Sequence, residues 1–448
     1  MSRRGLESAL DSLRLKSPSL AEEAEAAIGW LTGARGLDGL TQYSLQYFLW
    51  YELLHKWIVP PDEEDRLFED VREGLAYVLA AVGLDRYAFI CRSPATEEVH
   101  AAYRRSDKDY YLAFGRAMVS SGIQPPDLED FEWGKFMGPQ EAATYDTVAL
   151  ALERAIAAGE LKVGGRGWKI QQRRVAAATL AREQRESKGK SLRQLVVAER
   201  RQWWSSRARS KDLAALHQRA MSWVRISAEP PEDLALRFEP LLFLLEEIGD
   251  GIMLTERGNF SRAFVTATVA KRESWGKYLS GPPRRQDDVP ELVVLHGLLK
   301  KTRAVVVQKR RMRLTTKGRE MLREPSRAWS ALVDGLVRSG QPELICLEAL
   351  GLLLLEMGAD ESEDILFERV ATIFGDEGYR GVSDGARPTS WEARWILADI
   401  LQEMALLGLI ERAGTWDKRR MGLTECGRVT LRKVVSELAI APRRSLGP

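Results

Sequence analysis

The apolar positions between Ile396 and Val429 change period twice. Ile396, Ile400, Met404 and Leu407, with Leu397 and Leu401 beside them, recur at helical spacing, which predicts a helix with one buried face. Gly408 and the apolar pair Leu409-Ile410 then open a short strand, Gly414 and Asp417 turn the chain, and Arg419 to Leu423 return as the second strand of a hairpin. Thr424 follows as the N-cap of a final helix, where its hydroxyl accepts an orphan backbone N–H, an effect of ~1 kcal/mol.

The pattern recurs between Leu295 and Leu322: a helix, a strand at Ala304–Val307, a basic tip at Lys309-Arg310-Arg311, then Leu314-Thr315 and Gly318. A bare version, Met253-Leu254-Thr255 with Gly258, has no basic tip. A fainter one spans Ala151 to Leu180, with Gly164-Gly165-Arg166-Gly167 at its turn and no Leu-Thr. Chance alone gives roughly 0.2 Leu-Thr-x-x-Gly matches in a chain of this length. The matches therefore read as tandem related units.

Elsewhere the periodicity is helical, so the expected fold class is mainly α: a helical N-terminal domain followed by tandem units with short β-hairpins near 303–314 and 409–423, and a further hairpin at 161–171. Breaks in the pattern suggest five segments. These are an aromatic-rich helical domain at 1–137, a partial hairpin unit at 138–180, a basic helical strap at 181–228, a unit at 229–325, and a helical extension with a last unit at 326–448. Glu229-Pro230-Pro231-Glu232 is the clearest linker. Helices are expected at Ser326–Arg338, Gln341–Met357 and Glu361–Gly375. The run Tyr43–Trp57 is very aromatic, with Tyr43, Tyr47, Phe48, Tyr51 and Leu54 on one face and Trp50, Leu53 and Trp57 on another. It reads either as a groove for a ligand or stacked base or, the commoner outcome, as a central helix buried on most sides.

Composition narrows the class. The chain has 448 residues, 45% hydrophobic and 29% charged, enough for about three ordinary domains. The richest apolar run, Leu344–Gly358, carries two glutamates, so no membrane span is expected. The N-terminus has no apolar signal core, and Cys91, Cys346 and Cys426 lie far apart; a cytoplasmic location fits both. The net charge of +2 hides an asymmetry. Residues 1–160 hold 16 Lys and Arg against 27 Asp and Glu, residues 161–225 hold 17 against 4, and the remainder holds 33 of each.

Candidate chemistry is sparse. His55, His100, His217 and His296 show no metal-ligand spacing, and no nucleophile elbow, dinucleotide fingerprint or complete phosphate loop occurs. Gly189-Lys190-Ser191 looks like the end of a phosphate loop, but position 184, where the first glycine belongs, is Gln184. The acidic runs at 62–65 and 360–364 stand at helix starts, where the helix dipole favours them. The expectation is no catalytic residues, no metal, no cofactor and no enzyme. The strap is more informative: Arg200, Arg201, Arg207, Arg209 and Lys211 surround Trp203 and Trp204. Basic side chains interleaved with aromatics suit a phosphodiester backbone. The competing explanation turns the tryptophans inward and pairs the arginines with the acidic N-terminal region.

Helix, strand, basic tip, strand and capped helix over about 232–448 resemble the winged-helix superfamily. FLWYELLHKW and GLDRYAFICRS, in the N-terminal part, resemble an uncharacterised group of bacterial helical proteins with no assigned activity. The superfamily resemblance implies a three-helix core whose third helix enters the DNA major groove while the wing touches the backbone. It places Lys309, Arg310, Arg311 and Arg313 on one wing and Lys418, Arg419 and Arg420 on the other. The third helices depart from the pattern. Pro290–Leu299 has no Arg, Asn or Gln for base edges, and Ile396–Leu409 carries Asp399 and Glu403. The leading expectation is a non-enzymatic, nucleic-acid-associated protein using wings and strap on the DNA backbone with low sequence specificity. The rival is a protein-binding winged-helix scaffold without direct DNA contact, and a weaker third is an enzyme with an unrecognised site.

Overall fold

The computed structural model describes residues 3–57, 62–226, 228–275, 281, 283–357, 361–381, 385–415 and 419–443. Among the described residues the chain is mostly helical, with strands only in small antiparallel sheets of two or three. It divides into two compact units, Met1–Val197 and Ala198–Pro448, and the division falls inside the helix Leu192–Ser206.

The first unit is a helical bundle around the aromatic run. Leu45, Phe48, Leu49, Trp50, Leu53 and Leu54 are buried, whereas Tyr43, Tyr47 and Tyr51 are half-buried and His55 is exposed. One side of this helix is thus core and the other is a surface ladder of rings stacked 4.8–5.8 Å apart. That is less burial than a central helix implies. A π-turn at Phe48–Glu52 widens the backbone there. The carbonyls of Leu49 and Trp50 meet His100 Nε2 at 2.8 Å and the Tyr110 hydroxyl at 2.9 Å, so they stay satisfied in the core.

The hairpin expected at 161–171 does not form. Pro139–Ala157 and Trp168–Leu180 make a helical hairpin instead, closed by Gly159, Gly164 and Gly167 with positive φ and anchored by buried Leu161. The described strands of this unit are Glu183–Gln184 and Lys190–Ser191, paired around the turn at Lys188-Gly189. Lys190-Ser191 is therefore the return of a small hairpin, not part of a phosphate loop.

The second unit contains the same element order twice. The first copy runs from helix Glu239–Ile248 through strand Ile252–Met253, helices Arg262–Lys271 and Pro290–Lys301, strands Val305–Gln308 and Arg311–Leu314, to helix Thr316–Arg323. The second runs from helix Gln341–Met357 through strand Glu361–Ser362, helix Glu363–Asp376, the helices Ser390–Ile396 and Ala398–Leu406, strands Ile410–Ala413 and Arg420–Leu423, to helix Glu425–Ile440. In each sheet the last strand lies in the middle. Ile252 pairs with Met312 as Glu361 pairs with Met421.

The Leu-Thr-x-x-Gly motif is the joint between hairpin and last helix. Leu314 and Leu423 are buried. Thr315 and Thr424 cap the helices, accepting from Gly318 N at 3.1 Å and Gly427 N at 3.0 Å. Their hydroxyls in turn donate to the carbonyls of Arg303 and Gly408 across the hairpin mouth. A Cβ on Gly318 would lie 2.2 Å from the Ala304 oxygen, and one on Gly427 1.8 Å from the Leu409 oxygen. Only glycine lets helix and strand approach so closely. The third match serves otherwise. Met253-Leu254-Thr255 ends the first strand of the first copy, and Thr255 Oγ1 closes a turn by accepting from Asn259 N at 3.1 Å.

Candidate nucleic-acid interface

The hairpin of the first copy pairs Val305 with Leu314 and Gln308 with Arg311, so alternation decides what faces out. Val305, Met312 and Leu314 go to the core; Val306, Gln308, Arg311 and Arg313 are exposed, and so is Val307 opposite Met312, where the strand runs past the core. The two-residue tip, Lys309-Arg310, has positive φ at both positions, 49° and 65°. Such turns match strand twist and favour Asn-Gly. A left-handed conformation costs a non-glycine residue about 1–2 kcal/mol. Two exposed cations are thus held in a conformation that glycine or asparagine adopts more easily.

Arg310 makes an exposed ion pair with Glu256 at 3.5 Å. Lys309, Arg311 and Arg313 have no ion-pair partner among the described residues. Neither have Lys300, Arg303, Arg319 and Arg323, all exposed and flanking the hairpin in sequence. Sequence reasoning missed these four. Their signal was a local excess: residues 300–323 hold ten Lys and Arg against one Glu.

The hairpin of the second copy is different. Lys418 lies outside the described residues. Arg419 is half-buried and Arg420 exposed, and both are already engaged in other interactions. Arg412 pairs at 2.8 Å with Glu363, a buried carboxylate that also faces Arg394 at 3.2 Å.

The strap is split. In the first unit Arg193 binds Asp130 at 2.5 Å. In the second unit the rest of it folds inward, and Arg200 and Trp204 leave the interface. Arg200 is 3% exposed and donates to the Ile440 carbonyl at 3.1 Å, and Trp204 is fully buried. Trp204 Nε1, Arg207 and His217 converge on Glu348, with Arg207 at 2.7 Å and His217 Nε2 at 3.1 Å. Burial pushes the Glu348 carboxyl up, but Arg207, His217 and the Trp204 hydrogen bond more than offset it and hold it at about 2. The guanidinium groups of Arg207 and Arg443 both approach the Trp203 ring, 5.4 and 4.9 Å from its centre. Arg201 is half-buried, and burial lowers its pKa; Arg209 is exposed and engaged; Lys211 is exposed. The expected choice between a free strap and one clamped on acidic N-terminal residues thus misses the main partner of 198–211, the second unit itself.

The third helices pack against each other. Lys301 ends the first, and its Nζ sits 3.0 Å from Glu403 on Ala398–Leu406. Burial raises the Glu403 pKa against the pull of Lys301. On Pro290–Lys301 the exposed positions are Pro290, Val293, Gly297 and Lys300, with no amide side chain to bond a base edge.

Burial pushes the pKa of His100 and of His296 down to about 4, and lifts the thiols of Cys91 and Cys346 to about 12. Among the described residues no group of His, Cys, Asp or Glu could hold a metal ion, and no helix is long and apolar enough to cross a membrane. Comparisons with protein-family models, curated proteins and solved structures find no match.

Proposed function

We propose that this is a non-enzymatic, nucleic-acid-associated protein of the winged-helix type. It grips the phosphate backbone through the first hairpin, with little preference for sequence. The observation that carries the reading is the set of exposed cations without ion-pair partners among the described residues: Lys309, Arg311 and Arg313, with Lys300, Arg303, Arg319 and Arg323 flanking them. An exposed cation with no internal counter-charge loses little on meeting a phosphate, and each contact releases a condensed counterion. The winged-helix part rests on the twofold recurrence of helix, strand, helices (two in the first copy, three in the second), hairpin and helix. Low specificity follows from third helices that pack together and offer bases Val293 and Gly297.

The reading is tested by fluorescence anisotropy on random duplexes at several salt concentrations. Four to six phosphate contacts give a slope of log affinity against log salt of about −4 to −5. No binding at ~50 mM salt and micromolar protein would reject it. The rival, a protein-binding scaffold, draws support from the second hairpin, whose arginines already have partners.

A further inference from the structure

The glycine turn and the helix Trp168–Leu180 carry charge that the fold leaves unused. Lys162, Arg166, Lys169, Arg173 and Arg174 are all exposed, and none has an ion-pair partner among the described residues. No Asp or Glu occurs from Leu161 to Leu180. On the helix, Lys169 and Arg173 stand four residues apart, as do Ile170 and Arg174, and exposed Ala177 continues their side. At 100° per residue these positions span about 140° of the circumference, so they form one face. Ile170, 72% exposed, lies within it.

The charge also stands against the helix's own preference. A helix favours anions at its N-terminus and cations at its C-terminus. Here the first turn holds no acidic residue and the last turn no basic one, and Lys169, Arg173 and Arg174 all lie in the first seven positions. Lys162 and Arg166 precede them in the turn bent by the positive φ of Gly164 and Gly167. The helix pole and the side chains therefore add to one positive potential, which an external anion would neutralise.

We propose that this face is a second, weaker nucleic-acid contact that holds the phosphate backbone without reading sequence. The choice of nucleic acid among polyanions rests on the reading of the first hairpin, but the surface is a separate one: the helix belongs to the first compact unit and the hairpin to the second. Charge complementarity selects the occupant. Residues 162–174 present five cations with no counter-charge, and duplex DNA presents a phosphate every ~1.7 Å along its axis. An anionic membrane fits less well. A helix lying on a bilayer buries a continuous apolar face, and here Ile170 and Ala177 stand among Lys169, Arg173 and Arg174.

The test uses the full chain with the first hairpin neutralised by Lys309→Ala, Arg311→Ala and Arg313→Ala, which uncovers the weaker contact. Anisotropy on a random duplex at ~50 mM salt should still detect binding, with a dissociation constant on the order of 10 µM. Adding Lys169→Glu and Arg173→Glu should weaken this residual binding at least ~10-fold and flatten its log–log salt slope by about two units. The melting curve should hold or rise, because a carboxylate at position 169 suits the helix pole; a purely structural role would lower it. Lys108→Glu with Lys135→Glu makes the same change of net charge at two other exposed positions of the unit and should leave the residual binding nearly unchanged. No residual binding, or residual binding that ignores Lys169 and Arg173 or falls equally with the control pair, would overturn the proposal and leave the hairpin reading standing. Wild-type binding that ignores the hairpin changes but is lost with Lys169 and Arg173 would support the helix and reject the hairpin. Capture of the chain by phosphatidylserine vesicles but not by duplex would overturn both.

Discussion

The two hairpins of the second unit are built alike and charged differently. Both hang on the same joint of buried leucine, capping threonine and close glycine, at Leu314-Thr315-Gly318 and Leu423-Thr424-Gly427. Around the first, residues 300–323 hold ten basic residues against one acidic; around the second, the corresponding 405–432 hold six against three. The difference in pairing is larger than the difference in count. Arg412 is bound to buried Glu363, and Arg419 and Arg420 are engaged, whereas Lys309, Arg311 and Arg313 have no ion-pair partner among the described residues. Around the first hairpin seven exposed cations have no ion-pair partner among the described residues, whereas at the second Arg412, Arg419, Arg420 and Arg428 are engaged within the chain. A basic tip read from sequence is thus ambiguous until its counter-charges are placed.

The largest expected effect concerns how the strap joins the second copy. Glu348→Ala leaves Arg207 and His217 without their carboxylate and should destabilise the unit by about 3–5 kcal/mol in denaturant melts. A loss below about 1 kcal/mol would show that the strap is not anchored there. The same carboxyl sets an acid limit. Its folded value of about 2 lies below the ordinary 4.5, so its contribution is complete above about pH 4.5 and fades as pH falls toward 2. That contribution is ~3 kcal/mol, and Glu348→Gln should flatten the stability profile across this window.

Next come the joints, where the repeats should behave alike. Gly427→Ala drives a methyl to 1.8 Å from the Leu409 oxygen and Gly318→Ala to 2.2 Å from that of Ala304. Each should cost about 3 kcal/mol or more, since backbone cannot yield as a side chain can. Leu423→Ala and Leu314→Ala should each cost about 2–4 kcal/mol as cavity mutations. Tolerance at one joint and not the other would break the equivalence.

Much of this fold was legible because it rests on local rules. The Leu-Thr-x-x-Gly spacing exposed the two joints, since capping and close approach each demand a particular residue at a fixed offset. The 161–171 segment misled because glycines that turn a hairpin also turn a pair of helices, and only Leu161 in a helical core decides between them. The strap misled for a longer-range reason. Arg200 and Trp204 look like a phosphate-binding pattern, and their partners Ile440 and Glu348 lie 240 and 144 residues away. The first hairpin's cations were singled out from the basic tip, but the flanking residues Arg303 and Arg319 were passed over because neither sits on it.

The central claim is that outward charge on the first hairpin, and not the second, binds nucleic acid. It is tested most directly by anisotropy titrations of Arg311→Ala/Arg313→Ala beside Arg419→Ala/Arg420→Ala on one random duplex across a salt series. The account predicts that the first pair flattens the log–log salt slope by about two units and weakens binding to unrelated sequences equally. The second pair should leave the slope within about half a unit of wild type. Equal flattening by both pairs, or an unchanged slope in the first, would contradict it.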